Sequence, residues 1–206
     1  MIDINTYITN FSSKFTIFND LNPWDLTHAL EERIERIIGT LDHNYTIKNG
    51  IAIHKTATIE ANVTFKDPII IMENCFIGAN AYFRAGVLLD SSVKIGAGCE
   101  IKSSLICSNT SIAHLNYIGN SVIGQHVNFE AGSIAANHYN ERSNKEILVK
   151  FNNKIIITNT IKFGALVGDN SKIGANAVLS PGTILDKNSI VNRLELVNQI
   201  TKTETN

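Results

Sequence analysis

Between Ile71 and Ile101 the chain reads IMENCFIGANAYFRAGVLLDSSVKIGAGCEI, in which Ile71, Ile77, Phe83, Leu89, Ile95 and Ile101 stand six positions apart. The frame extends back through Phe65, Ile59 and Ile53 and forward to Cys107, ten consecutive units, and resumes as Ile161, Val167, Ile173, Leu179 and Leu185. Glycine follows an aliphatic residue at Ile77-Gly78, Ile95-Gly96, Ile118-Gly119, Ile123-Gly124, Val167-Gly168 and Ile173-Gly174. A six-residue beat fits neither an α-helix nor an alternating strand. It fits a solenoid whose units are one short strand plus one turn, each frame residue pointing into a shared apolar stack. Glycine after the frame residue admits turn geometry that a side chain opposes. Three units closing a triangular coil would stack strands in parallel about 4.8 Å apart. The expected fold is an all-β parallel β-helix. A sandwich of short strands would place turns every ~8–12 residues and alternate with period two, which this frame does not.

Composition fits one such solenoid. The 206 residues are 44% hydrophobic with a formal net charge of −1, and near-neutral charge without basic runs gives no electrostatic basis for nucleic-acid or membrane partners. No apolar stretch approaches the ~20 residues of a membrane span, and Met1-Ile2-Asp3 does not open a signal peptide, so the expected location is the cytoplasm. Cys75, Cys99 and Cys107 lack metal-type spacing and read as reduced thiols in core or turn positions, Cys107 on the inward frame itself.

Residues 1–50 have a different character. Residues 1–21 show no clear period. Asn22-Pro23 then reads as a cap and first-turn proline, and Leu26, Ala29, Leu30, Ile34, Ile37, Ile38 and Leu41 line one face of a helix predicted over 23–40. Its apolar stripe is expected on the first coil, covering the open strand edge. The β-helix is assigned to 51–196, a projecting loop to 138–160 and a tail to 197–206. Two interruptions break the beat: Ile118 and Ile123 are five apart, and the frame is lost between Ala135 and Ile161. In the second gap, apolar runs flanking Asn152-Asn153 predict a hairpin, and such insertions gather on one functional face, here expected over a binding site.

The stretch AHLNYIGNSVIGQHVNFEAGSIAAN, residues 113–137, together with PWDL, YFRAG and EIKSS upstream, resembles the acetyltransferase domain of bifunctional glucosamine-1-phosphate N-acetyltransferases, which make UDP-N-acetylglucosamine. Downstream, KFGALVGDNSKIGANAVLSPGTIL is closer to archaeal-type sugar-1-phosphate nucleotidylyltransferase and acetyltransferase proteins. The resemblance covers roughly residues 50–190; the glycine-rich nucleotide-binding motif of the bifunctional family is absent, so uridylyl transfer is not expected. It implies a left-handed β-helix, acetyl-CoA as co-substrate without a required metal, an amino-sugar phosphate as acceptor, a homotrimer with sites between neighbouring copies, and a separate nucleotidylyltransferase as a possible partner.

Residue by residue, His114 matches the family base, and an imidazole titrating near pH ~6.5 suits deprotonation of an amine. A lone histidine is more often a satisfied turn residue, but HLNYIG shifts the balance. Arg84 and Lys102 match the phosphate-binding pair; eighteen residues apart, they would stack on successive coils and clamp a dianion. Tyr117 and Asn128 match sugar-binding positions, and Asn137 one beside the reacting amine. The Ala131 N–H matches the oxyanion donor. The cofactor groove is expected past Ala165 and Pro181, with Arg193 for the phosphates of coenzyme A. His138 stands where the family has tyrosine; Lys145 or Arg142 stands for its loop lysine. These departures leave glucosamine-1-phosphate, galactosamine-1-phosphate and nucleotide-linked amino sugars open as acceptors. Two alternatives are a catalytically degenerate sugar-phosphate-binding β-helix and a β-helical metal-dependent carbonic anhydrase. The second needs convergent histidines, and His114, His126 and His138 are spaced by twelve, which puts them on different faces of an eighteen-residue coil.

Overall fold

The structure, a computed structural model, describes residues 1–200; residues 201–206 of the expected tail lie outside the described residues. The chain winds into a parallel β-helix of three faces. Seven two-residue strands, from Thr58–Ile59 to Ile190–Val191, stack on the first face. The second face runs from Thr64–Phe65 through Tyr117–Gly119 to Leu196–Val197, and the third from Ile51–His54 through Val122–Ile123 to Thr183–Leu185. Two long strands, Tyr82–Leu89 and Glu100–Ile106, belong to both of these faces and bend at the corner between them, where the register slips between Arg84 and Val87. Inside lies a continuous apolar column that includes Ile71, Ile77, Phe83, Leu89, Ile95 and Ile101, the residues of the sixfold frame. Each such buried side chain contributes about 1.5–3 kcal/mol.

The frame departs from expectation at two places. After Ile101 the next inward residue is Ile106, five positions on, so Cys107 faces out of the solenoid into a second core. Ile161 is 52% exposed; the coil re-enters with Ala165 and Val167 inward. All three cysteines are free and buried, and burial pushes the Cys75 thiol up to about 12.

The glycines of the Ile-Gly pairs serve close approach rather than left-handed turns. A Cβ on Gly96 would run into the Ala113 carbonyl of the next coil, and one on Gly78 into the Ala97 backbone. The left-handed positions fall elsewhere: Asn62, Asn80, Gly98, Leu115, Gly132, Asn176 and Leu194 form one corner column, Asn74, Ser92, Asn109, His126, Asn170 and Asn188 another. Asparagine tolerates this conformation because its short polar side chain bonds locally.

Ala52, Ile70, Leu88, Leu105, Val122, Leu166 and Ile184 point outward from the third face and nucleate the second core. Residues 1–21, including the short helix α1 (Phe11–Lys14), and the longer helix α2 (Pro23–Ile38) cover them with Ile8, Phe11, Phe18, Leu26, Leu30 and Ile34. Helix α2 therefore packs along the solenoid's flank, not over the first coil. That open edge is closed instead by Tyr45–Lys48, antiparallel to Ile51–His54. Asn22 starts α2 without a side-chain cap; it accepts from the Ile2 N–H (3.1 Å) and donates to Asp25 (2.8 Å). The expected hairpin is present, Leu148–Phe151 with Lys154–Ile157, turning through left-handed Asn152 and Asn153. It does not project: Ile147 and Val149 are buried in the second core, and Tyr139 Oη donates to the Pro181 carbonyl (3.0 Å). Among the described residues no helix is long and apolar enough to cross a membrane.

Candidate active site

The second face carries the chemistry. Tyr82, Glu100 and Tyr117 are in register on adjacent coils, as are Arg84, Lys102 and Gly119, so cations and hydrogen-bonding groups alternate with the inward residues. Arg84 is paired with Glu100, Nη2 to Oε1 at 2.6 Å and Nε to Oε1 at 2.8 Å. Lys102 Nζ donates to Asn120 Oδ1 (3.1 Å) and Ser103 Oγ (3.2 Å). Asn137 Nδ2 donates to the same Asn120 oxygen (2.6 Å), and Tyr117 Oη donates to Asn137 Oδ1 (3.2 Å). One network thus joins Lys102, Asn120, Asn137 and Tyr117. Gly119 makes room for it, since a Cβ there would lie 2.6 Å from Tyr117 Oη and 2.8 Å from Asn137 Cγ.

Electrostatics follow from this crowding. Burial, then the Lys162 and Arg84 cations, push the Lys102 ammonium below its ordinary value, with Glu31 and Glu100 partly offsetting them. Burial, then Glu100, raises the Tyr117 phenol. Arg84, Lys102 and Lys162 form a basic centre suited to a polyanionic ligand.

His114 is exposed in the corner that leads into Tyr117, immediately before left-handed Leu115. Ala131 occupies the same position one coil on: the Gly132 N–H bonds the His114 carbonyl (3.0 Å), and the Asn176 N–H bonds that of Ala131 (3.0 Å). The column thus reads Ala97, His114, Ala131, Ala175, Arg193. At Ala79 and Ala175 the turn N–H is taken by the carboxylates of Glu60 (2.7 Å) and Glu130 (2.9 Å). The residue in the equivalent place for Ala131 is Ala113, which has no carboxylate to offer. Glu130 also receives both Nε (2.9 Å) and Nη2 (3.0 Å) of Arg193, which holds its carboxyl below the usual range.

The other expected residues are dispersed. Asn128 lies on the first face, exposed and away from Tyr117. Ala165 is fully buried in the core and lines no groove; Ala175 holds the turn position next to Ala131. Pro181 is buried beneath the insertion. His138 Nδ1 lies 3.1 Å from the Ile161 carbonyl at the insertion's root. Arg142 stacks 3.4 Å over the Tyr139 ring, and Lys145 stands in the insertion; the lysine that acts on Lys102, beside Arg84, is Lys162. His126 sits in a different corner column from His114, and no set of three His, Cys, Asp or Glu side chains able to hold a metal occurs among the described residues. Glu100, Asn120 and Lys162 were not singled out by the sequence. Glu100 stands two positions before Lys102 and so on its side of the strand, while Asn120 stands in the corner just beyond Gly119, the residue in register with Lys102.

The family described as the GMPPB C-terminal domain matches residues 42–157, more than half of the chain. The chain belongs to this family. A hexapeptide repeat of succinyl-transferase follows at residues 164–192, beyond the insertion. Relatives include a bifunctional protein GlmU of Methanococcus maripaludis, 41% identical over 160 residues, 75% of this chain and 38% of that protein. A bifunctional sugar-1-phosphate nucleotidylyltransferase/acetyltransferase of Sulfurisphaera tokodaii is 41% identical over 70 residues, 34% of this chain and 17% of that one. This family member therefore spans less than two-fifths of the length of these relatives. Among solved structures, the acetyltransferase domain of PglB from Neisseria gonorrhoeae aligns at a TM-score of 0.44 and 13% identity, covering 82% of this chain and 70% of that one.

Proposed function

We propose that this protein is an acetyl-CoA-dependent N-acetyltransferase whose acceptor is an amino-sugar phosphate. The observation that carries the reading is the network on the second face: an anion-binding cluster of Arg84, Lys102 and Lys162 joined through Asn120 to the carboxamide of Asn137, with His114 at the adjoining corner. The relatives named GlmU and sugar-1-phosphate nucleotidylyltransferase/acetyltransferase support it.

The phosphate of the acceptor exchanges Glu100 for a dianion at Arg84 and takes a donor from Lys102. Tyr117 and Asn137 orient the sugar. The acceptor ammonium gives up one proton to solvent, and the His114 imidazole takes a second from the nitrogen as its lone pair attacks. Acetyl-CoA supplies the thioester carbonyl that is attacked. The Ala131 N–H donates to the oxygen on which negative charge develops, and the His114 imidazolium returns its proton to the departing sulfur. His114 and Ala131 share one turn column, so base and oxyanion donor stand on adjacent coils. The active form is read as a cytoplasmic homotrimer in which a neighbouring copy walls the open side of this face. Steady-state kinetics with amino-sugar 1-phosphates test the clamp: Lys102→Ala raises the acceptor KM by roughly 10–100-fold, the value of a lost charged hydrogen bond, and leaves the acetyl-CoA KM in place. An unchanged acceptor KM removes the phosphate from this position.

A further inference from the structure

We propose that Asn120 is a positioning residue that sets the orientation of the Asn137 carboxamide from the charge of Lys102, and so couples the anion-binding end of the site to the end where the amine reacts. The inference rests on the reading above for its substrate but not for its geometry.

Asn120 is 3% exposed, and its Oδ1 accepts from both Lys102 Nζ (3.1 Å) and Asn137 Nδ2 (2.6 Å). An ammonium has donors only, so the oxygen of Asn120 must face Lys102; the flipped carboxamide would set NH₂ against NH₃⁺. With that oxygen fixed, Asn137 must turn its nitrogen toward Asn120 and its oxygen toward the Tyr117 hydroxyl, which donates to it at 3.2 Å. The charge of Lys102 thereby selects one of two otherwise similar states at Asn137, and an Asn137 turned the other way presents the wrong polarity to an acceptor amine.

The backbone of Asn120 is held as firmly. It is left-handed at φ 45°, in one corner column with Ala85 (φ 57°) and Ser103 (φ 45°). Its N–H donates to the Lys102 carbonyl (2.8 Å) and its carbonyl accepts from Gly164 N–H (2.9 Å), where the chain returns from the insertion. Asparagine meets both demands at this position: it enters the left-handed region at low cost and carries an acceptor oxygen.

The test uses the full chain with Asn120→Gly, which deletes the side chain while easing the left-handed backbone, and Asn120→Asp, which keeps the acceptor and adds a charge. For Asn120→Gly we expect the acceptor KM to rise and kcat to fall, each roughly tenfold, with the acetyl-CoA KM unchanged. Asn120→Asp is expected to restore kcat to within about threefold of wild type, while the acceptor KM stays raised because the new carboxylate repels the phosphate. A purely structural role would scale activity with the folded fraction and leave the acceptor KM alone. That pattern, or Asn120→Gly indistinguishable from wild type, overturns the proposal. Inorganic phosphate binding, followed by NMR on the same proteins, separates this claim from the proposed reaction. If wild type turns over no acceptor, the reaction fails on its own, and weaker phosphate binding in Asn120→Gly still supports the positioning role while equal binding refutes it.

Discussion

Lys102 is the residue at which structure and chemistry meet most closely. It is half-buried, so burial first and the Lys162 and Arg84 cations second disfavour its charged form in the free protein, although it donates to two neutral acceptors. The sign follows: with the folded value lowered, the charge is lost as pH rises through that lowered value, before an ordinary lysine near ~10.5 would titrate. Acceptor kcat/KM is expected to fall on the alkaline side with an apparent pKa below ~10.5, and Lys102→Arg to move that limb upward. A pH–rate profile checks this; identical alkaline limbs in the two proteins contradict it. In the same linkage, stability carried by Lys102 is present above its unfolded value and lost as pH falls through the folded one. His114 was singled out by HLNYIG, and the structure places it, exposed, in the corner that leads into Tyr117. Asn120 and Glu100 were not, because an asparagine at a corner or a glutamate beside a lysine is common on any solenoid, and only the coil register shows what they touch.

At the scale of elements, the sixfold frame reported the inner core faithfully through Ile101 and then failed at Cys107 and Ile161. The reason is geometric. Where a corner loses one residue, the same spacing switches from inside to outside, and the sequence marks this only by the apolar pair Ile106-Cys107. The second core was written in the triplets Ile69-Ile70-Ile71 and Val87-Leu88-Leu89, whose central residue faces outward. An aliphatic run on a face covered on both sides is the expected mark of a buried parallel sheet. The amphipathic stripe of α2 was readable, but not which surface it meets, since a coil end and a flank offer similar apolar area. Leu26 is fully buried there, so Leu26→Ala is expected to destabilise by about 2–5 kcal/mol in denaturant unfolding, whereas Ile161→Ala at an exposed site costs under about 0.5 kcal/mol. Comparable losses at the two sites would contradict this assignment of the cores. Gly119→Ala tests the other close approach: its Cβ meets Tyr117 and Asn137, so acceptor turnover should fall more than tenfold, about 1.4 kcal/mol of transition-state binding, while melting shifts little.

For the whole molecule, the third face is closed by α2 and the insertion, while the second face with Arg84, Lys102 and Tyr117 is left open beside the His114 corner. The second face is thereby accessible to a neighbouring copy, as the proposed trimer requires, with exposed Leu115 and Leu194 at its corner and Leu196 on it. Light scattering is expected to give three times the chain mass; a monomer that is fully active would contradict an inter-subunit site. The measurement that bears most directly on the account is release of coenzyme A thiol from acetyl-CoA with a panel of amino-sugar 1-phosphates and nucleotide-linked amino sugars, wild type beside His114→Ala. Release with one acceptor, reduced about 10²–10⁴-fold in the variant at unchanged coenzyme A affinity, is the predicted result. Equal turnover by the two proteins, or no turnover of any acceptor by the wild type, would contradict it.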